Sequence, residues 1–356
     1  MRLTDVTLGR HVTGQMRNLC TLLGIEEEVP SRLLADLLGV HAERPLTDPP
    51  PFPSDVADDG TPVEFSIQFD DDGRRHLRTL CEALAPEPTA ANNLTAAQDL
   101  LSVLAERHHL DLGKLDAVRD LLTPEHPQGD FSWWWSFIFP QGAAAPKIKI
   151  YVNPAMHGEE EAPKLVEEAF QRLGLHGAFA TATKFGMQRH GQDRFAFFAL
   201  DLDDSPTARV KLYLAHRDAD VAVAERAAAA VPGIEAGRIR EFCDVLAPGT
   251  AEFTRRPLIS SYSFVEGDDS TPSNYSLYLP LRDYVEHDGI ALERVQELFR
   301  GQDLAPESIT EVLRAVTDRP LADNTGLIAH VSLRLSPGTS GNSVYVSSEA
   351  YGGTRR

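Results

Sequence analysis

Arg209-Val210-Lys211-Leu212-Tyr213 sets two cations and a tyrosine on alternate residues, with Val210 and Leu212 between them. In an extended strand, residues i and i+2 share a face. This segment therefore points Arg209, Lys211 and Tyr213 one way and its aliphatic residues the other. Shorter forms of the pattern stand at Lys149-Ile150-Tyr151, Ser276-Leu277-Tyr278 and Ser343-Val344-Tyr345, so that the tyrosines follow one another at intervals of 62, 65 and 67 residues. A repeat of that length is read as architecture before anything else.

Each triplet closes a pair of alternating segments that reads as a β-hairpin. The pairs run from Phe131 to Val152, Arg194 to Leu214, Leu258 to Leu279 and Leu327 to Val346, and a fifth, from Val63 to Leu80, turns at Asp70-Asp71-Asp72-Gly73. Between them lie helical stripes: Val12, Met16, Leu19 and Leu23; Leu165, Val166, Ala169, Phe170 and Leu173; Ile309, Val312, Leu313 and Val316. Thr95-Ala96-Ala97-Gln98 has the form of a capping box ahead of Leu100, Leu101 and Leu104.

Helix, helix, hairpin, five times over, gives ten antiparallel strands. A sheet of that width is relieved of its exposed edges by closing on itself. The expected fold is α+β: a ten-stranded antiparallel barrel of five αββα repeats, ringed by helices that cover its outer face. Residues 1–351 read as a single domain, with the Pro45 to Pro53 stretch a loop inside the first repeat and 352–356 a loose tail. Ten strands leave room for a ligand chamber.

The net charge of −19 argues against nucleic acid or an anionic membrane as partner. Cys20, Cys81 and Cys243 are odd in number and widely spaced, which fits a reducing cytoplasm rather than a disulfide framework. The amino end, Met1-Arg2-Leu3-Thr4-Asp5, does not read as a signal peptide, and no apolar run approaches a transmembrane span. A cytoplasmic monomer or homodimer acting on small molecules is the expectation.

Inward lysines need partners, and the triplets supply no acids. The natural occupant is an anion suited to Lys and Arg, phosphate or diphosphate. Tyrosine faces stabilise a cation through the ring quadrupole. Together they suit an allylic diphosphate that ionises in place. The alternative for each triplet is a solvated strand face, and for tyrosine simply a good strand residue. The Asp70-Asp71-Asp72 and Asp203-Asp204 runs read as solvated turns, and no metal-binding motif is present. Glu64, between Val63 and Phe65, faces away from them with Ser66. It is a candidate hydrogen-bond acceptor or general base at the chamber mouth, the alternative being a rim salt bridge.

Gly60-Thr61-Pro62-Val63-Glu64-Phe65-Ser66, the Lys149-x-Tyr151 strand, Arg209-x-Lys211-x-Tyr213 and Tyr275-Ser276-Leu277-Tyr278 together resemble the dimethylallyltryptophan synthase family of indole prenyltransferases, over nearly the whole chain. The resemblance implies a barrel of αββα units that transfers a dimethylallyl group from its diphosphate to an indole, with no cofactor and no required magnesium. It implies that Glu64 receives the indole N–H, and that Arg78, Lys149, Arg209, Lys211 and Arg334 hold the diphosphate. Arg75 is an alternative to Arg78. Tyr151, Tyr213, Tyr278 and Tyr345 would shield the cation. Trp133 and Trp135 are candidates to shape the acceptor pocket, the alternative for at least one of them being barrel packing. Ser276 stands where many fungal members carry glutamine. Phe131 to Phe139 has no lysine where enzymes acting at indole C4 carry their proton acceptor, which speaks against C4 chemistry. The Ala/Arg/Asp-rich composition looks bacterial and leans toward free L-tryptophan or a simple derivative. A phenolic acceptor, or a non-catalytic barrel binding a phosphorylated or aromatic ligand, stands as the alternative.

Overall fold

In a computed structural model, residues 6–143, 145–235 and 237–352 are described. The amino end at Met1–Asp5 and the tail beyond Gly352 lie outside the described residues. The first repeat comprises α1 (Leu8–Leu23), α2 (Glu28–Leu38), β1 (Val63–Asp70) and β2 (Arg75–Cys81). The second has α3 (Ala90–His108), α4 (Gly113–Val118), β3 (Trp133–Pro140) and β4 (Lys147–Val152). Next come α5 (Ala162–Arg172), α6 (Ala178–Gly186), β5 (Asp193–Asp201) and β6 (Val210–His216), then α7 (Val221–Ala228), α8 (Gly237–Leu246), β7 (Leu258–Phe264) and β8 (Asn274–Leu279). The fifth holds α9 (Asp288–Arg300), α10 (Glu307–Val316), β9 (Ile328–Ser336) and β10 (Thr339–Ser347).

Each strand pairs with its sequence neighbours, and β1 pairs with β10 from Glu64↔Ser347 to Asp70↔Gly341, closing the barrel. All five expected hairpins are present. Strand alternation sends one set of side chains outward under the helices: Phe65 and Ile67 on β1, Ile150 on β4, Leu212 on β6, Leu277 on β8 and Val344 on β10, all fully buried in the apolar core. Burial of about 2 kcal/mol per such side chain favours this phase over its inverse. The outward tyrosines satisfy their hydroxyls on α7, Tyr262 Oη donating to Ala227 O at 2.8 Å and Tyr275 Oη to Ala224 O at 3.1 Å. Fit is close: a Cβ on Gly186, at the end of α6, would stand 2.3 Å from Leu214 Cδ1.

One helix start is corrected. Thr89, extended at φ −143°, caps α3 by accepting from Asn92 N, while Thr95 lies inside the helix and its hydroxyl donates to Ala91 O. The capping-box pattern at 95–98 was overridden because Leu94 packs on the core, so the helix runs through that site. The three cysteines are buried and unpaired. No helix among the described residues is long and apolar enough to cross a membrane.

Candidate active site

The other set of side chains faces inward, and it is polar and aromatic. A cavity of about 320 Å³ occupies one part of the barrel, lined by Glu64, Arg78, Trp134 and His330 among others. Four tyrosines form an arc across it: ring centroids lie 5.5 Å apart for Tyr151–Tyr213, 5.7 Å for Tyr213–Tyr278 and 5.9 Å for Tyr278–Tyr345. Phe197 stands edge-on to Tyr151 and Tyr213. Burial holds the hydroxyls of Tyr151, Tyr213 and Tyr345 neutral by raising their pKa, so the arc offers ring faces without ionising.

Two residues before Tyr151 and Tyr213, one layer further along the barrel, lie Lys149 and Lys211, with ammonium groups 5.4 and 5.0 Å from those rings. Arg209 is set beside them. One carboxylate serves this group: Asp201, at the end of β5, lies 3.4 Å from Lys149 Nζ and accepts from Arg209 Nε at 2.7 Å. The triplets themselves hold no acid, as the sequence reads; the partner comes from the neighbouring strand β5, where Asp201 pairs in register with Lys149. Asp201 shares a parity with Phe197 and Ala199, and that parity was its only signal.

Arg78 and Lys211 have no ion pair among the described residues. Four cations against one acid leave a surplus of positive charge. Burial, with the neighbouring cations, depresses Lys149 to about 7 and Lys211 well below the usual lysine range. Burial would raise Asp201, but Lys149 and Arg209 outweigh it and hold the carboxyl below its usual range. A bound anion would reverse the lysine shifts.

The structure also separates Arg78 from Arg75: Arg78 reaches the cavity, while Arg75 points toward α10, 3.9 Å from Glu311. Arg334 faces inward and, like Lys149, Arg209 and Lys211, is not among the residues lining the cavity. Its guanidinium is taken by Asp70, which also accepts from His76 at 2.9 Å and Gln68 at 2.8 Å. Arg334 is therefore neutralised, and Asp70 is no solvated turn residue. Gly341 makes room for this pair, since a Cβ there would fall 2.7 Å from the guanidinium.

The tryptophans are one residue out of the expected phase. Trp133 and Trp135 face the helices, Trp133 Nε1 donating to Leu122 O at 2.8 Å. Trp134 is the one on the cavity, stacked on Phe131 at 4.0 Å. In a run of three identical aromatics, alternation alone does not reveal which members face inward. Its register partner Tyr151 decides it.

At the mouth, Glu64 is 4% exposed and makes no hydrogen bond or ion pair among the described residues. Burial pushes its pKa up to about 8, against the pull of Arg282 and Arg256. Both arginines line the same end of the cavity and grip Asp58 on the loop before β1, at 2.9 Å for Arg282 Nε and 2.5 Å for Arg256. Neither arginine was singled out from sequence, because both lie outside the strands that carried the repeat. His330 was missed too, one strand position outside the Ser-x-Tyr pattern.

The model of the family described as tryptophan dimethylallyltransferase matches residues 29–310. Among solved structures, 6-dimethylallyltryptophan synthase from Micromonospora olivasterospora, determined in complex with DMASPP and Trp, is 44% identical, with 98% of this chain and 99% of that one covered and a TM-score of 0.93. The prenyltransferase PriB, in ternary complex with L-tryptophan and dimethylallyl thiolodiphosphate, is 35% identical over 98% of each chain, at 0.90. The 5-dimethylallyltryptophan synthase from Streptomyces coelicolor is 33% identical over 99% of this chain and 100% of that one, at 0.91.

Proposed function

This chain belongs to the tryptophan dimethylallyltransferase family, and from that membership we propose how its own cavity carries out prenyl transfer to tryptophan. The observation that carries the reading is the adjacency of the tyrosine arc to an under-neutralised cluster of Arg78, Lys149, Arg209 and Lys211. Dimethylallyl diphosphate places its diphosphate on those cations and its allyl group against the rings. As the C–O bond breaks, the lysines and arginines stabilise the departing charge, in place of a divalent cation. The rings stabilise the allyl cation by about 0.5–2 kcal/mol each and keep water away from it.

The indole enters from the mouth, its N–H directed at Glu64, and attacks the cation through a ring carbon. Arg282 and Arg256 stand where the acceptor's carboxylate would lie, which favours a free amino acid over a capped or cyclic one. The inward positions of β3 are Trp134, Ser136 and Ile138, none of them a base, so prenylation falls at a carbon other than C4.

The test is incubation with dimethylallyl diphosphate and L-tryptophan in EDTA. The expected product is tryptophan heavier by one C5H8 unit, with one diphosphate released per product. Intact diphosphate across a panel of indoles and phenols would overturn the reading.

A further inference from the structure

Substitution on an aromatic ring needs a group that removes the ring proton, and neither β3 nor the cation cluster, whose lysines a bound diphosphate holds charged, provides one. His330 does not belong to the tyrosine repeat, yet it is on the cavity wall. On β9 it pairs in register with Tyr345 of β10, and its ring meets that tyrosine edge-on at 6.2 Å, interplanar angle 82°. Tyr345 in turn pairs with Ser66, two residues along β1 from Glu64. Tyr345 therefore lies between β1 and the imidazole, and His330, like Glu64, lines the cavity near Arg282 and Arg256. It makes no hydrogen bond among the described residues, so no described protein group occupies its nitrogens.

Resting on the function proposed above, we infer that His330 is the catalytic residue that accepts the ring proton. Its place fits the step: the attacked carbon must lie between the tyrosines that shelter the cation and the carboxylate that receives the N–H. After the new C–C bond forms, that carbon carries both the allyl group and its hydrogen. A ring nitrogen of His330 takes the hydrogen as a proton, and the C–H electron pair returns to the ring. The diphosphate has already left with the electrons of the broken C–O bond, so the step is balanced with no further reactant.

The base need not be strong, because an arenium ion is a far stronger acid than imidazolium. It must be unprotonated and in place. Burial and the facing charges of Arg282 and Arg256 keep His330 neutral by lowering its pKa well below the usual histidine range. Neutrality also spares the allyl cation a like charge nearby. Glu64 and Asp55 are the other acidic groups lining the cavity beside Arg282 and Arg256, both with pKa values raised by burial; the role given to Glu64 at the N–H is separate.

The experiment compares the native enzyme with His330→Phe, which keeps an aromatic ring on Tyr345, and His330→Ala, each on tryptophan with a deuterated indole ring. Native turnover is expected to show no primary isotope effect. His330→Phe should lose about 100-fold in kcat, the scale of a lost general base, with the tryptophan KM little changed, and should acquire a primary isotope effect. Added imidazole should restore part of the rate to His330→Ala only. A merely structural role would lower the rate without an isotope effect or rescue, and that result would overturn the proposal, as would native-like kcat in His330→Phe. Failure of the native enzyme to prenylate tryptophan would instead overturn the underlying reading of function.

Discussion

Asp201 on β5 holds both Lys149 and Arg209, at 3.4 and 2.7 Å, and among the described residues is the acid paired with the cluster of Arg78, Lys149, Arg209 and Lys211. Breaking a buried pair by removing one partner costs about 3–5 kcal/mol, because the other charge is left uncompensated. Asp201→Asn should therefore lower the melting temperature of the empty protein. An added anion replaces the lost charge, so inorganic diphosphate should raise the melting temperature of the variant by more than it raises that of the native chain. Thermal denaturation with and without diphosphate checks both.

Lys149, depressed to about 7 in the empty barrel, and Lys211, further down its range, are not fully charged at pH 8. A diphosphate between them restores the charged form, so binding should take up protons. Calorimetry at pH 8 in buffers of differing ionisation enthalpy should show a positive proton count, and it should shrink in Lys149→Met.

Glu64 has a folded pKa of about 8, above its unfolded value. Between those two values the folded state holds a proton that the unfolded state has lost, so its contribution to stability is full below the unfolded pKa and falls as pH rises toward 8. Glu64→Gln should remove this decline: relative to native, the variant should gain stability between pH 5 and 8. Its kcat/KM for tryptophan should fall, and the native rise in kcat/KM as the carboxylate ionises should vanish. Melting curves and pH profiles of both proteins separate the two effects.

Tyr213 sits in the middle of the arc, with Tyr151 and Tyr278 on either side. Tyr213→Phe keeps the quadrupole and should retain most activity. Tyr213→Leu should lose roughly tenfold in kcat, since one cation–π contact is worth about 0.5–2 kcal/mol. Quenching by water should raise the share of dimethylallyl alcohol, measurable against prenylated tryptophan in the same assay.

Trp133 and Trp134 should separate structure from binding. Trp133→Ala empties a packed site under the helices and should cost about 3–5 kcal/mol of stability. Trp134→Ala should leave stability less affected and raise the tryptophan KM or alter the ring position used. Denaturation and product analysis distinguish them.

The barrel was legible because its repeat writes the same side-chain parity five times, and the outward Ile150, Leu212, Leu277 and Val344 left the inward Lys and Tyr one available face. Glu64, Lys149, Lys211 and the four tyrosines follow from that parity, whereas Arg78 came from the family resemblance, with Arg75 as its alternative. What it did not reveal lies where parity is silent. Trp133-Trp134-Trp135 is apolar on both faces. Arg256 and Arg282 stand beyond strand ends. Arg334 obeys the alternation, but its pairing with Asp70 brings together residues 264 positions apart, a contact that only the closed barrel creates.

The pairing of β1 with β10 joins residues at the two ends of the fold, Glu64 with Ser347. During synthesis, the first hairpin is made long before its last partner exists. Until Ser347 has been made, β1 has no closing partner, and any sheet the nascent chain forms is open at that edge. Such an intermediate is exposed to aggregation. It also lacks an enclosed interior, so the cavity that prenyl transfer needs is complete only once β1 meets β10.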